Sequence, residues 1–221
     1  MVRSLRMIVR LLTVGILTGM MIICDIVFFD KLHSIVSGAD AGKMIVCAAE
    51  KDAYDTLRIV IDPGHGGENL GGEYEDYTEK EMTIVVAEAM KEELEKYEGV
   101  SVYLTRNGDQ ELSLEERCEY AKSVDADFLF CLHFNLSEHH TLFGAECWVS
   151  AFGENYSKGY AFASVEMELL QELGLYSRGI KTRLGSKGLD YYGIIRHATE
   201  RDIPCVLIEH CHLDQDNDKP F

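Results

Sequence analysis

Positive charge is what this sequence has least of. Its 21 Lys and Arg residues stand against 38 Asp and Glu, a formal net charge of −17 over 221 residues. A surface this acidic repels nucleic-acid phosphates, which excludes DNA or RNA as a partner and favours solubility. Paired cysteine spacing is also missing. The seven cysteines, an odd number, include no CxxC pair, so no disulfide framework is expected. Cys118, Cys131, Cys147 and Cys205 fall within apolar helix or strand patterns and read as core residues. Internal repeats and low-complexity tracts are lacking too, which leaves one medium-sized domain with an appendage.

The appendage is the amino terminus. Arg3, Arg6 and Arg10 precede an apolar run from Leu11 to Phe29, interrupted by Asp25. As a helix this run nearly spans a bilayer, and the flanking arginines place its start in the cytoplasm. Residues 1–29 therefore read as a signal anchor or a signal peptide with Leu11–Cys24 as its apolar core. The anchor is the favoured reading, because the only tidy small-x-small site, Ala39-Asp40-Ala41, lies far from that core. In either case the domain is exported: held at the outer face of the membrane, or secreted if the segment is cleaved. Residues 30–56 read as a linker, with Met44–Ala49 apolar enough for a short strand or a membrane-proximal contact.

The following domain is organised around Leu57-Arg-Ile-Val-Ile-Asp-Pro-Gly-His-Gly-Gly67. Its apolar, β-branched start suits a strand buried on both faces. Asp62-Pro63-Gly64 breaks the strand and delivers His65 just past its end, where α/β sheets collect ligands. Thr78 to Glu81 matches a capping box, and Met82, Val85, Val86, Ala89, Met90, Leu94 and Tyr97 continue at helical spacing towards Gly99. Val100–Thr105 reads as a second strand, and Ser113 to Glu116 as a capping box opening a helix to about Ser123. Phe128–Leu132 is a third strand ended by His133, and Glu146–Ala151 a fourth. A helix follows from about Ser157, then an irregular loop over 174–192 facing substrate. Ile194-Ile-Arg196 suggests a short strand, and Pro204–Ile208 is a last buried strand delivering Glu209. Strands alternating with helices predict an α/β sheet.

His65, His133 and Glu209 each follow a strand, and Glu79 stands in the first turn of a helix. If those strands are parallel, the four residues converge on one edge. Two imidazoles, a carboxylate and an open position describe a catalytic zinc site, with a further carboxylate as general base. The glycine turn lacks the lysine and spacing of a phosphate cradle, and no Ser or Cys occupies an elbow-like turn. Spacing alone does not choose the carboxylate ligand among Glu68, Glu73, Glu75, Asp76, Glu79 and Glu81. His139, His140, His197, His210 and His212 are alternative imidazoles.

Six ordered motifs narrow the choice. They are Ile59-Val-Ile-Asp-Pro-Gly-His-Gly-Gly67, Glu79-Lys80, Leu104-Thr-Arg106, Leu114-x-x-Arg117, Leu132-His-x-Asn135 and Pro204-x-Val-Leu-Ile-Glu209. Over roughly residues 57–213 the chain resembles the zinc-dependent N-acetylmuramoyl-L-alanine amidases of the amidase-3 type. The resemblance implies a mixed, mostly parallel sheet flanked by helices, and peptidoglycan as substrate. It implies that His65, Glu79 and His133 bind Zn2+ and that Glu209 is the catalytic carboxylate. Asn135 is a candidate to orient the site, Arg196, Tyr191 and Tyr192 are candidates to contact the glycan, and Arg106 and Arg117 read as structural, pairing with the acidic surface or helix ends. His210-Cys211-His212 departs from the family's small residue and phenylalanine, and the histidine pair suggests either a second ion or satisfied edge positions. The family's usual C-terminal helix would begin beyond this point, so a truncated C-terminus is expected from the end at Phe221. A protein activator is a candidate partner, since no wall-binding repeat is recognisable. Competing readings are another zinc hydrolase of the stem peptide and a non-catalytic wall-binding module on the same scaffold.

Overall fold

The computed structural model describes residues 56–219. The expected anchor and nearly all of the linker lie outside the described residues. The elements in order are β1 (Leu57–Pro63), a short hairpin of β2 (Glu73–Tyr74) and β3 (Tyr77–Thr78), α1 (Glu79–Leu94), β4 (Val100–Leu104), α2 (Leu114–Ser123), β5 (Phe128–Asn135), β6 (Ala145–Val149), α3 (Gly153–Glu172), β7 (Ser177–Lys181), α4 (Gly193–Thr199) and β8 (Cys205–His212). Six strands form one sheet in the order β4-β1-β5-β8-β6-β7. Every pairing is parallel except β6 with β8, so the sheet is mixed and mostly parallel, as expected. No helix of the described residues is long and apolar enough to cross a membrane.

The pleat sends alternate side chains to opposite faces, and both faces are covered. Ile59, Ile61, Phe128, Phe130, Val206 and Ile208 pack under α1 and α3. Val60, Leu129, Cys131, Cys205 and Leu207 pack under α2 and α4. This explains the near-continuous apolar runs of the central strands. Cys118, Cys131, Cys147 and Cys205 are free and buried, together with Cys211.

Several local expectations are corrected. Ile194 and Ile195 belong to helix α4 rather than a strand, because they and Ala198 bury one helical face against the sheet. The loop over 174–192 contains β7, whose polar sequence hides an edge strand held by pairing with β6. Strands β5 and β8 continue past His133 and Glu209, so both residues sit within strands. Helix α1 ends at Leu94, short of Gly99, and α3 starts at Gly153, ahead of Ser157. Ser113 forms the full capping box, whereas Thr78 donates its hydroxyl to Glu81 Oε2 at 2.7 Å and makes no backbone cap bond.

Phe162 of α3 lies with its ring centroid 3.7 Å from that of Phe128 and is 4 % exposed. Phe162→Ala is expected to cost about 3–5 kcal/mol of unfolding free energy by denaturant titration. Tyr160→Ala on the same helix, at a position 44 % exposed, should change it by no more than about 0.5 kcal/mol.

Candidate metal centre

The site is assembled from a strained turn, a helix start and two neighbouring strands. His65 follows β1 with φ +62°, a left-handed conformation that side chains seldom adopt. Two buried arginines hold it there. Arg117 donates to Asp62 Oδ1 (2.7 Å), Pro63 O (2.8 Å) and His65 O (2.7 Å). Arg106 donates to Pro63 O (3.0 Å) and Gly64 O (2.9 Å). Both clamp this turn, and Arg106 also donates to Lys80 O (2.8 Å) and Thr83 Oγ1 (3.1 Å), which ties the turn to the start of α1.

Asn69 orients the imidazole. Its Oδ1 accepts from Gly71 N–H at 3.3 Å, which sets the amide, and lies 2.9 Å from His65 Nδ1. Nδ1 therefore donates to Asn69, and Nε2, 2.9 Å from Glu79 Oε2, donates to that carboxylate when the ring is protonated and offers a lone pair when it is neutral. Gly71, at φ +72°, admits this approach, since a Cβ there would lie 2.6 Å from both Glu79 Oε2 and His65 Cδ2.

Glu79 opens α1 and is 5 % exposed. Its oxygens accept from Gly72 N (2.8 Å) and Phe134 N (3.0 Å). His133 Nδ1 lies 2.8 Å from Glu79 Oε1. Gly64 makes room for the His133 ring, because a Cβ there would meet Cε1 at 2.4 Å. One ligand atom from each of His65, Glu79 and His133 comes within 4.8 Å of the others. Burial opposes ionisation of Glu79, yet hydrogen bonds from His133 and His65 hold its carboxyl well below the usual range. Burial likewise opposes charge on His65, and the bond to Glu79 more than offsets it, raising the imidazole pKa. With both imidazoles neutral, two ring nitrogens and a carboxylate oxygen converge, a donor set that fits a divalent ion of the zinc type.

Glu209 stands beside His133 in register on β8. Its Oε2 is buried without a hydrogen-bond partner. Burial, then the charges of Glu79 and Glu146, push its pKa well above the usual carboxylate value. A cavity of about 360 Å³ is lined by His65, Glu79, His133, Asn135, Tyr192 and Glu209 among others. Asn135 thus reaches the cavity, and its Oδ1 also accepts from Leu136 N at 3.0 Å. Arg196 does not line the cavity. It donates to Asp190 O (2.8 Å) and Tyr191 O (3.3 Å), tying down the entry to α4.

Among the described residues the cluster contains no other ligand candidate. His140 bonds Asp214, His197 bonds Glu200, and His212 bonds Gly144 O. His210 bonds His133 O at 3.0 Å and stacks on Phe134, and burial lowers its pKa to about 4. The histidine pair therefore supports β5 and the β5–β6 connection from within the sheet rather than joining the ligand cluster.

Two residues escaped the sequence reading. Asn69 carries no spacing signal in a polar loop. Glu146 lies opposite Glu209 on β6 and is 5 % exposed. It accepts from Arg178 Nε (2.7 Å), Lys181 Nζ and Trp148 Nε1 (3.0 Å). Burial opposes its ionisation, and the bonds from Lys181 and Arg178 prevail, lowering its pKa. Its partners come mainly from β7, the strand the sequence did not reveal.

A three-layer α/β domain with a His-Glu-His cluster drawn from the turn after β1, the start of α1 and strand β5 is the class that fold and site define. The chain belongs to the N-acetylmuramoyl-L-alanine amidase family, whose model matches residues 59–220. It is 32% identical over 165 residues to the sporulation-specific N-acetylmuramoyl-L-alanine amidase of Bacillus subtilis, covering 73% of this chain and 58% of that protein. Among solved structures it is similar to Cwp6 from Clostridium difficile (TM-score 0.63, 27% identity, 73% of this chain and 25% of that one). It is also similar to the catalytic domain of the amidase CwlV from Bacillus (Paenibacillus) polymyxa (TM-score 0.57, 26% identity, 74% and 84%).

Arg117→Ala should cost about 3–5 kcal/mol, because it leaves Asp62 buried and unpaired. Arg117→Lys should recover little of this, since an ammonium cannot reproduce the fork. Thermal melts check both. Asn69→Ala should weaken divalent-cation affinity about 10–100-fold by chelator competition, with the fold unchanged.

Proposed function

We propose that this domain hydrolyses the amide between the lactyl group of N-acetylmuramic acid and the L-alanine that begins the peptidoglycan stem peptide. The observation that carries the reading is the convergence of two imidazoles and a buried carboxylate within 4.8 Å, beside a carboxyl oxygen with no partner, in a chain of the amidase family. His65, Glu79 and His133 are the proposed zinc ligands. A zinc ion there supplies a Lewis acid to the scissile carbonyl and lowers the pKa of water. Glu209 Oε2, in its ionised form, takes the proton of the attacking water and returns it to the departing alanine amine. Asn69 holds the His65 tautomer, and the walls at Asn135 and Tyr192 shape the entry. The amino-terminal arginines and apolar run support attachment to the membrane, with the domain acting outside the cytoplasm; an activator protein belongs to the same proposal.

Zinc stoichiometry on the full chain, followed by digestion of purified peptidoglycan and mass analysis, tests the reading. One zinc per chain and peptides with a new N-terminal L-alanine are expected. Release of free D-alanine instead would identify a stem-peptide carboxypeptidase. Glu209→Gln should keep zinc and lose at least about two orders of magnitude in rate, whereas His65→Ala and His133→Ala should lose both. A fully active Glu209→Gln variant would sink the assignment.

The same variant reports on stability. Burial raises the folded pKa of Glu209 well above the 4.5 of a free glutamate. As pH rises through that value the unfolded chain ionises first, so the wild type loses stability that it holds at lower pH. Metal-free Glu209→Gln should therefore melt above metal-free wild type at neutral pH, with the gap closing below pH 4.5.

A further inference from the structure

In so acidic a chain, a cation with no anion to meet stands out. Arg58, Arg106, Arg117, Arg178, Arg196 and Arg201 each direct their guanidinium to a carboxylate or a backbone carbonyl. Arg183 differs from all of them. Among the described residues its guanidinium has neither a hydrogen bond nor an ion pair; it lies 3.7 Å over the ring centroid of Tyr191. Both residues are exposed.

The stack is built on a fixed support. A bridge joins Leu184 to Asp190, and Tyr191 N donates to Arg183 O at 2.8 Å. Asp190 is buried and accepts from Ser150 Oγ (2.8 Å) and Ala151 N (2.9 Å), which pins the hairpin to the end of β6. The Tyr191 ring meets Tyr192 edge-on, with centroids 5.2 Å apart, and Tyr192 lines the cavity that holds Glu209. Arg183 is near enough for its charge to oppose the rise of the Tyr192 pKa, which burial, Glu209 and Glu146 push up to about 12.

A guanidinium held over an aromatic face by its central carbon keeps its N–H groups available. That is the geometry for bidentate recognition of a carboxylate, with little side-chain freedom left to lose. We propose that Arg183, stacked on Tyr191 beside the cavity, is a subsite for a carboxylate of the stem peptide. The proposal deepens the amide-hydrolase reading and rests on it for the identity of the ligand. It gives an acidic protein a local means of holding an acidic substrate, and it places specificity on the peptide side of the scissile bond.

The test uses the full chain loaded with zinc and two stem peptides, one with free carboxylates and one with those carboxylates amidated. Calorimetry should show the free acid binding at least about tenfold more tightly, the minimum for a charge-assisted pair. Arg183→Gln should bring the free acid down to the amidated affinity, leave the amidated peptide unaffected, and raise KM for the matching acidic muropeptide without changing kcat. Arg183→Lys and Tyr191→Leu should each lose part of the discrimination. Equal binding of the two peptides by wild type, or discrimination retained in Arg183→Gln, would overturn the subsite. So would Arg183-dependent binding of a glycerol-phosphate polymer in place of the acidic peptide. Acid-selective binding through Arg183 without cleavage of any muropeptide would uphold the subsite and remove the hydrolase reading.

Discussion

Asp62 and Arg117 meet at 2.7 Å where both side chains are almost wholly excluded from water. Much of the site depends on that contact. Asp62 also accepts from Thr105 Oγ1 and from Cys131 Sγ, so the carboxylate is tied to the end of β4 and the middle of β5. Arg117 uses its remaining donors on the carbonyls of Pro63, His65 and Leu112. A buried pair of this kind contributes little net stability over an apolar pair, but removing one partner is expensive. Its value is positional, because it fixes a left-handed histidine that would otherwise relax.

The three carboxylates beside the cavity show how environment separates chemically identical groups. Glu79 receives backbone and imidazole hydrogen bonds and is held ionised. Glu146 is neutralised by Arg178 and Lys181. Glu209 lies between them with no cation of its own, so burial and its neighbours favour the protonated form. Carboxyls whose environments push their pKa values apart are the arrangement that acid–base chemistry requires. Arg183 extends the same pattern outwards, as the one described arginine whose charge is not consumed inside the fold.

Much of the fold was legible because its strands are buried on both faces. Leu57–Ile61, Phe128–Leu132 and Pro204–Ile208 could be read as core strands from composition alone, and the box at Ser113 marked its helix start. Strand β7 was not legible, since an edge strand of Ser177-Arg-Gly-Ile-Lys181 has no apolar run and is stabilised by pairing and by Glu146. The short helix at Gly193 failed for the opposite reason: two isoleucines in a row suit a strand or a helix equally. In the site, His65, His133 and Glu209 were visible as polar residues closing apolar runs. Asn69 was not, because a polar loop residue carries no periodic signal even beside His65, and Glu146 was not, because its cationic partners belong to that unrecognised strand.

The sequence by itself determined the α/β alternation, the acidic surface and the set of residues able to bind a cation, because burial pattern and residue type are local properties. Spacing alone could not choose Glu79 over the five other acidic residues nearby, a choice that only the family resemblance implied. Only the tertiary structure supplied the geometry of that choice, by setting the start of α1 against β5 and leaving Gly71 without a Cβ between His65 and Glu79. It also decided that His210 and His212 stand outside the ligand cluster, and that Arg183 alone among the described arginines keeps its charge available. These outcomes depend on which strands become neighbours and which face each side chain takes, and strand order is a long-range property that no short stretch of sequence encodes.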